Sequence, residues 1–229
     1  MKNTDVRDDY HALVRKDVLD LVPDGRNAVL DIGGGIGASA GYLKEVDKAE
    51  RYVVVDLVAD AKHASVDAAY SGNLEDPALL QRIEAEQGVF DVILCLDVLE
   101  HLTDPWSVIE ACHAMLKPGG VIVASIPNAR NHRLVIPLVF KGRFEYTEKG
   151  ILDRTHLRWF VRDTAIQLMT GTGLELEHIE GQFYGRRKRL VNWLTMGLLK
   201  NFIYLQYFIR VRRNPSERLP NSSRPQEQP

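Results

Sequence analysis

Apolar positions along the chain fall into two alternating patterns, short continuous runs and runs with helical spacing. A continuous apolar run bounded by turn residues predicts a buried strand, and apolar residues three or four apart predict an amphipathic helix. The first pattern predicts strands at residues 28–32, 51–57, 89–96, 121–126, 174–179 and 202–212. The second predicts helices at residues 4–21, 37–46, 77–87, 105–117, 162–170 and 186–201. The alternation predicts an α/β fold in which helices cover both faces of a parallel sheet.

Two segments depart from this alternation. Residues 128–160 are rich in arginine, histidine and aromatic residues and have weak periodicity, so we expect a long functional loop or a small subdomain. Residues 214–229 are polar and rich in proline, which predicts a disordered tail. The chain is therefore expected to form a single domain over residues 1–213, with residues 128–160 as an insertion.

The composition is typical of a globular protein, with 45% hydrophobic and 26% charged residues and a net charge of −2. The charge is uneven: residues 182–229 carry ten basic and two acidic side chains, a net of +8, so the remainder carries −10. A basic end on an acidic body suggests contact with an anionic partner. Cys95 and Cys112 lie in apolar patterns and are expected to be buried free thiols. With no apolar leader and no bilayer-length apolar run, the sequence predicts a cytoplasmic protein.

A glycine-rich loop follows the first predicted strand. Its four glycines lie between residues 33 and 37 and lead into a helix, so the backbone can approach a ligand closely and present N–H groups to it. Asp31 stands two residues before the loop, where a carboxylate suits a cationic ligand better than a pyrophosphate. Asp56 ends the second strand, at about the distance where an acidic residue binds ribose hydroxyl groups.

The Asp-x-Gly-x-Gly-x-Gly spacing of residues 31–37 resembles motif I of the class I S-adenosylmethionine-dependent methyltransferases. Segments 72–75, 90–102 and 116–120 resemble that family's adenine-contacting segment, fourth-strand motif and turn before the fifth strand. The resemblance implies a Rossmann-like, doubly wound sheet of seven strands in the order 3-2-1-4-5-7-6. It also implies that strand 7 is antiparallel and that the insertion on the acceptor side follows strand 5.

The resemblance also assigns a binding pocket for S-adenosylmethionine. Asn73 stands where many relatives have aspartate, but an amide oxygen can still accept a hydrogen bond from the adenine amino group. The residues implied to bind this cofactor are Asp31, Gly33, Gly34, Gly35, Gly37, Asp56, Leu57, Asn73, Leu74, Leu96 and Asp97.

Methyl transfer to a hydroxyl group requires an aligned acceptor and a base, and histidine titrates in the useful range. His101 follows the fourth strand, and His132 lies in the insertion. His156 lies in a cluster of charged residues near the end of the insertion, and either it or His101 could instead be a structural histidine. No set of histidine, cysteine and carboxylate residues has metal-ligand spacing, so no metal is predicted, although a glutamate precedes His101. The candidate catalytic residues are His156, His101, Asp153 and Arg154.

The acceptor is suggested by the insertion. Segments 142–147 and 152–158 are similar to bacterial methyltransferases associated with polysaccharide and O-antigen biosynthesis. Residues 128–160 carry seven basic and three acidic side chains, which suits a phosphate-bearing acceptor. The favoured hypothesis is therefore O-methylation of a sugar in a surface glycan or its nucleotide- or lipid-linked precursor.

Two alternatives stay open. Residues 97–102, DVLEHL, also resemble ubiquinone-biosynthesis O-methyltransferases, so a quinone or another small hydroxylated metabolite is a second acceptor class. A catalytically silent S-adenosylmethionine-binding protein is the third possibility. A nucleic-acid acceptor is not expected, because the Asn/Asp-Pro-Pro-aromatic motif that holds a flipped base is absent after the fourth strand.

The predicted helix at residues 186–201 combines four basic residues at its start with an apolar stripe. Such a helix could lie peripherally on an anionic membrane at the cytoplasmic face. The stripe could equally pack on the sheet or on a partner.

Overall fold

The computed structural model describes residues 14–59, 62–183 and 193–217. Seven strands form one sheet. The strands are β1 (Asn27–Ile32), β2 (Ala49–Asp56), β3 (Ala68–Ser71), β4 (Phe90–Leu96), β5 (Leu116–Pro127), β6 (Glu175–Gln182) and β7 (Gln206–Arg212). The helices are α1 (Lys16–Leu19), α2 (Ser39–Glu45), α3 (Pro77–Gln87), α4 (Pro105–Met115), α5 (His132–Lys141), α6 (Arg162–Thr170) and α7 (Lys200–Ile203).

The strand order is β3-β2-β1-β4-β5-β7-β6, and β7 runs antiparallel to both of its neighbours while the other pairs are parallel. This confirms the Rossmann-like fold and strand order that the resemblance implies. The order reverses between β1 and β4, so the carboxyl ends of these two strands border a crevice where ligands bind in such sheets.

Apolar side chains form one layer on each face of the sheet. On one face, Leu80 of α3, Ile109 of α4 and Leu168 of α6 are buried in the same cluster. On the other face, Leu19 of α1 and Leu43 of α2 belong to a second cluster. Burial on both faces explains why the central strands are continuous apolar runs rather than alternating ones.

Two helices begin at Asp-Pro pairs, as the sequence predicts. The Asp76 carboxylate accepts the Ala78 N–H at the start of α3, and the Asp104 carboxylate accepts the Ser107 N–H at the start of α4. Proline fits the first helical position because its missing N–H has no partner there anyway. These caps place both helix starts at the carboxyl edge, beside the crevice.

Three sequence predictions are corrected by the structure. Strand β3 was not predicted, because four residues are too few to show a pattern. Helix α5 occupies part of the segment expected to be a loop, and Pro137 inside it hides the helical pattern. The predicted strand 202–212 begins only at Gln206, because Phe202 lies in α7.

The insertion begins and ends at one place. The N–H of Ala129 donates to the carbonyl oxygen of Phe160 at 2.8 Å, and Asn128 and Phe160 form an isolated β-bridge. The connection from β6 to β7 begins and ends at the same edge, where the Leu205 N–H donates to the Gln182 carbonyl oxygen at 2.7 Å. Both connections therefore begin and end at the carboxyl edge of the sheet.

The C-terminal part of the described chain continues past β7. Glu217 accepts a hydrogen bond from the buried Arg213 guanidinium at 3.1 Å and lies 3.2 Å from His113 Nε2. Residues 4–13 of the first predicted helix, residues 186–192 and residues 218–229 of the predicted tail lie outside the described residues. Within the described ranges, no helix is both long enough and apolar enough to cross a bilayer.

Candidate active site

The glycine loop leaves the carboxyl end of β1 and runs into α2. Gly33, Gly35 and Gly37 all have positive φ angles, of 71°, 57° and 76°, which side chains other than glycine rarely adopt. A Cβ atom on Gly33 would lie 2.4 Å from Val98, and one on Gly37 would lie 2.4 Å from Val66. The glycines therefore allow a tight turn against two packed side chains, with the loop backbone facing the crevice.

Asp56 joins the end of β2 to this loop. Its Oδ2 accepts the Gly35 N–H at 2.9 Å, and its Oδ1 accepts the Val58 N–H at 3.1 Å. Each carboxylate oxygen has a further lone pair that can accept a ribose hydroxyl. The next residue, Leu57, is 73% exposed, so an apolar side chain lies beside the carboxylate and is open to contact by a ligand.

The segment after β3 adds a polar amide and a buried anchor. Asn73 Oδ1 accepts the Glu75 N–H at 3.0 Å, which forms a local turn, and Leu74 is buried. Glu75 Oε1 in turn accepts the Asp104 N–H at 2.7 Å, which links this segment to the start of α4. The Asn73 amide keeps a second lone pair on its oxygen, as adenine binding requires.

Asp31 lies beneath the loop and is almost fully buried. The Tyr52 hydroxyl donates to its Oδ2, and a Cβ atom on Gly34 would lie 2.2 Å from the same oxygen. Burial raises the pKa of Asp31 to about 7, the Tyr52 hydrogen bond opposes this rise, and the nearby Asp56 charge adds to it. A carboxylate held in this way gains from a cation placed beside it.

Asp97 follows β4 at the centre of the crevice. Its φ angle of 51° is left-handed, which is uncommon for a residue with a side chain and typical of functional positions. The Ser125 hydroxyl donates to Asp97 Oδ1 at 2.7 Å, and the Arg15 guanidinium donates to Oδ2. Leu96, which precedes it, ends β4. The strained residue is therefore held by β5 and by the segment before α1.

Glu100, His101 and His156 meet beside Asp97. The two imidazole rings lie 4.7 Å apart in an edge-to-face arrangement, and one ligand atom from each of the three residues lies within 4.8 Å of the others. Two backbone hydrogen bonds bring the segments together: the N–H groups of Leu157 and Arg158 donate to the Glu100 carbonyl oxygen at 2.8 and 3.0 Å.

In both imidazole rings, Nδ1 lies against a backbone carbonyl oxygen. His156 Nδ1 lies 3.1 Å from the Ile151 carbonyl oxygen, and His101 Nδ1 lies 3.2 Å from the Thr155 carbonyl oxygen. A carbonyl oxygen only accepts, so each Nδ1 carries a proton, and in the neutral form of either ring the lone pair is on Nε2. Burial, with the charge of His101, lowers the pKa of His156, so this ring is neutral at neutral pH.

Glu100 is the unusual member of the cluster. It is 1% exposed, its Oε2 has no hydrogen-bond partner, and its Oε1 lies 3.9 Å from His156 Nε2, beyond hydrogen-bond distance. Burial and the nearby Asp97 charge raise the pKa of Glu100. The cluster therefore has two possible uses. An imidazole of His101 or His156 can accept a proton, or Glu100 and the two imidazoles can supply three ligands to a divalent cation.

Asp153 and Arg154, the other two predicted catalytic residues, are not members of this cluster. The Thr155 hydroxyl and N–H both donate to Asp153 Oδ1, at 2.7 and 2.9 Å, so Asp153 shapes the turn that presents Thr155 to His101. The Arg154 guanidinium lies 2.5 Å from the Glu148 carboxylate at the surface. The structure therefore brings His101 and His156 together with Glu100, whereas Arg154 faces outward.

Similarity to known proteins identifies the family of this chain. Residues 6–179 match the family model described as "Methyltransferase domain". The chain belongs to this family. It is thus a methyltransferase, and S-adenosylmethionine is its cofactor.

Curated relatives and solved structures agree with this assignment. The chain is 34% identical over 196 residues to a protein of Pseudomonas aeruginosa named ubiquinone biosynthesis O-methyltransferase, covering 81% of this chain and 78% of that protein. A protein of Leptothrix cholodnii with the same name is 28% identical over 182 residues, covering 76% and 75%. A methyltransferase structure from Archaeoglobus fulgidus has the same fold, with a TM-score of 0.59, 16% identity and coverage of 90% and 94%. These relatives give no support to the glycan acceptor.

The methyltransferase has three further site residues that the sequence did not reveal. Tyr52 lies inside an apolar strand, where a tyrosine gives no functional signal. Ser125 lies likewise inside β5, and Arg15 lies in a segment with no recognised motif. Their roles depend on contacts across the sheet, with Asp31 in the first case and Asp97 in the other two.

Replacing Asp31 with asparagine in the methyltransferase should change how stability depends on pH. Because the folded pKa of about 7 exceeds the unfolded value near 3.8, this group destabilises the ligand-free protein as pH rises between those values. Over that window this group lowers the free energy of unfolding by about 4 kcal/mol at most, at about 1.4 kcal/mol per pH unit. Urea denaturation at several pH values should therefore show Asp31→Asn gaining stability over the wild type as pH rises.

The Asp24→Asn variant, which removes an exposed carboxylate outside the pocket, is the control for the loss of one charge. S-adenosylmethionine should also reduce the Asp31 effect, because its ammonium group favours the ionised carboxylate. If the free energy of unfolding depended on pH in the same way in the wild type and in Asp31→Asn, the assignment of Asp31 as a buried carboxylate with a raised pKa would be contradicted.

Proposed function

We propose that this methyltransferase transfers a methyl group to a hydroxyl of a small aromatic acceptor, such as a phenolic precursor of a quinone. The observation that carries the proposal is the identity of 34% to a ubiquinone biosynthesis O-methyltransferase over 78% of that protein. This acceptor class replaces the glycan that the sequence favoured.

The aromatic side chains of the insertion support a flat acceptor. The ring centroid of Phe144 lies 5.6 Å from that of Tyr146 and 5.7 Å from that of Trp159. All three rings are partly exposed. Trp159 lies three residues after His156, in the segment bound to Glu100. An open group of aromatic rings close to the imidazoles suits a hydrophobic ring more than a sugar phosphate.

The basic residues of the insertion give less support to a phosphate-bearing acceptor than their number suggests. Arg154 pairs with Glu148, and Arg143 Nε lies 3.8 Å from Glu145. Arg158 donates to the Thr103 carbonyl oxygen at 3.0 Å from its Nε. Three of the seven cations are therefore engaged by protein groups.

The reaction requires the acceptor hydroxyl to lose a proton as its oxygen attacks. Bound S-adenosylmethionine would supply an electrophilic methyl group, with the sulfonium sulfur as the leaving group. Neutral His156 Nε2 accepts the hydroxyl proton, while Nδ1–H bonded to Ile151 holds the ring in that tautomer. A phenol, with a pKa of about 10, is within reach of such a base.

The acceptor class can be tested by transfer of a labelled methyl group. We expect methylation of a catechol carrying a short isoprenoid tail, and no methylation of a sugar nucleotide or a lipid-linked sugar. Methylation of a sugar hydroxyl with no transfer to the catechol would overturn the phenolic acceptor.

The cluster can be tested separately for cation binding. If Glu100, His101 and His156 hold a divalent cation rather than act through a free imidazole, calorimetry with Mg²⁺ or Mn²⁺ should show one site that Glu100→Gln abolishes. The matched control is Glu110→Gln, on the exposed side of α4. Binding that is equal in wild type and Glu100→Gln would assign the cluster to proton transfer alone.

A further inference from the structure

Exposed apolar side chains are concentrated in two short segments. Of the nineteen large apolar side chains that are exposed among the described residues, nine lie in residues 136–140 and 193–199. Phe140 is 78% exposed, Leu198 82% and Met196 88%. We call these two segments the apolar surface. Folded proteins rarely leave so many neighbouring apolar groups in water unless they bind something.

The two segments come from one place in the fold. His132 Nδ1, in the first turn of α5, donates to the Phe202 carbonyl oxygen of α7 at 3.0 Å, and Asn131 donates to the Ile203 carbonyl oxygen at 3.1 Å. Residues 193–199 lead directly into α7. The apolar surface is therefore anchored at the carboxyl edge, which is also the edge of the active site.

Basic residues predominate beside the apolar surface. Residues 129–142 contain three basic residues and no acidic residue. Residues 193–216 also contain no acidic residue, and Lys200 directly follows the second segment. Apolar side chains with cations beside them match the boundary between the headgroups and acyl chains of an anionic bilayer.

We propose that the apolar surface is the site at which this methyltransferase docks on an anionic lipid bilayer. The exposed side chains enter the interface, and the flanking arginines and lysines bind lipid phosphates. No helix of the described residues is suited to span the bilayer, so the contact is peripheral. A second copy of this chain is the less suitable occupant, because a two-fold contact would bring the same positive charges together.

This docking turns the acceptor side toward the bilayer. The insertion and the connection 183–205 both leave the carboxyl edge, so an acceptor dissolved in lipid would reach the histidines without crossing the sheet. The inference goes beyond the proposed function, because a lipid-bound surface is compatible with either acceptor class.

The test is flotation of the full chain with vesicles. We expect binding to vesicles rich in phosphatidylglycerol, weak binding to phosphatidylcholine vesicles, and loss of binding at high salt. Phe140→Asp and Leu198→Asp should each reduce the vesicle affinity at least about tenfold, and Arg133→Gln or Lys141→Gln about fivefold each. Val46→Asp, at an exposed apolar residue outside the apolar surface, at the carboxyl end of α2, should bind like the wild type.

Methyl transfer to a water-soluble catechol, measured without vesicles, should be the same for Phe140→Asp and Leu198→Asp as for the wild type. This arm separates the docking surface from the proposed chemistry. Absence of binding to phosphatidylglycerol vesicles, or equal binding by the aspartate variants, would overturn the proposal. So would a dimer in solution that Phe140→Asp converts to monomers, because the apolar surface would then be a contact between copies.

Discussion

Asp56→Ala should weaken S-adenosylmethionine binding by about 100-fold or more. The carboxylate is positioned to accept two ribose hydroxyl groups, and each hydrogen bond to a charged group contributes about 1.5–3 kcal/mol. The same carboxylate accepts the N–H of Gly35, so its loss also loosens the glycine loop. Isothermal titration calorimetry with the cofactor measures the effect directly.

Asp56→Asn separates these two contributions. The amide oxygen can still accept the Gly35 N–H, but it lacks the charge that strengthens the ribose contacts. We therefore expect an affinity between those of the wild type and Asp56→Ala, while the exposed Asp24→Ala variant binds normally. Unchanged affinity in Asp56→Ala would contradict the assigned cofactor pocket.

His156→Ala should lower turnover by about 100-fold to 10,000-fold, the usual contribution of a general base. Cofactor affinity should stay within a few-fold of the wild-type value, because His156 lies on the acceptor side. Burial and the His101 charge lower the pKa of His156, so the wild-type rate should rise with pH, with its midpoint below the ordinary histidine pKa.

A second variant guards against a merely structural effect. His156→Asn keeps an N–H group near the position of Nδ1, so the bond to the Ile151 carbonyl oxygen can be retained while Nε2 is lost. Its turnover should be as low as that of His156→Ala, and the pH dependence should disappear. Turnover in His156→Asn close to that of the wild type would remove His156 as the base, and His178→Ala, at a half-buried histidine of β6, provides the control.

The cofactor side of the protein could be predicted from the sequence because its signals are local. The glycine loop, Asp31 and the end of β2 at Asp56 each lie within or next to one strand, and the strands themselves are continuous apolar runs. Strand order followed from the resemblance, and the antiparallel β7 could not have been derived from periodicity alone. The Asp-Pro pairs fixed the starts of α3 and α4 because capping depends only on neighbouring residues.

The acceptor side could be predicted only as a collection of candidates. His101 and His156 are far apart in the sequence, and their contact depends on backbone hydrogen bonds from Leu157 and Arg158 to Glu100. Glu100 has no sequence signal that separates it from a solvated glutamate. Helix α5 was missed for a different reason, since Pro137 lies inside it and interrupts the helical pattern.

The β-bridge between Asn128 and Phe160 pairs the two ends of the insertion at the edge of the sheet. Its length can change at small entropic cost, because the ends are already fixed and the cost of a loop grows only slowly with length. Evolution can therefore exchange the part that recognises the acceptor while the strands that hold the cofactor keep their register. In a family with this construction, relatives that share a cofactor pocket can differ in substrate through this one replaceable segment.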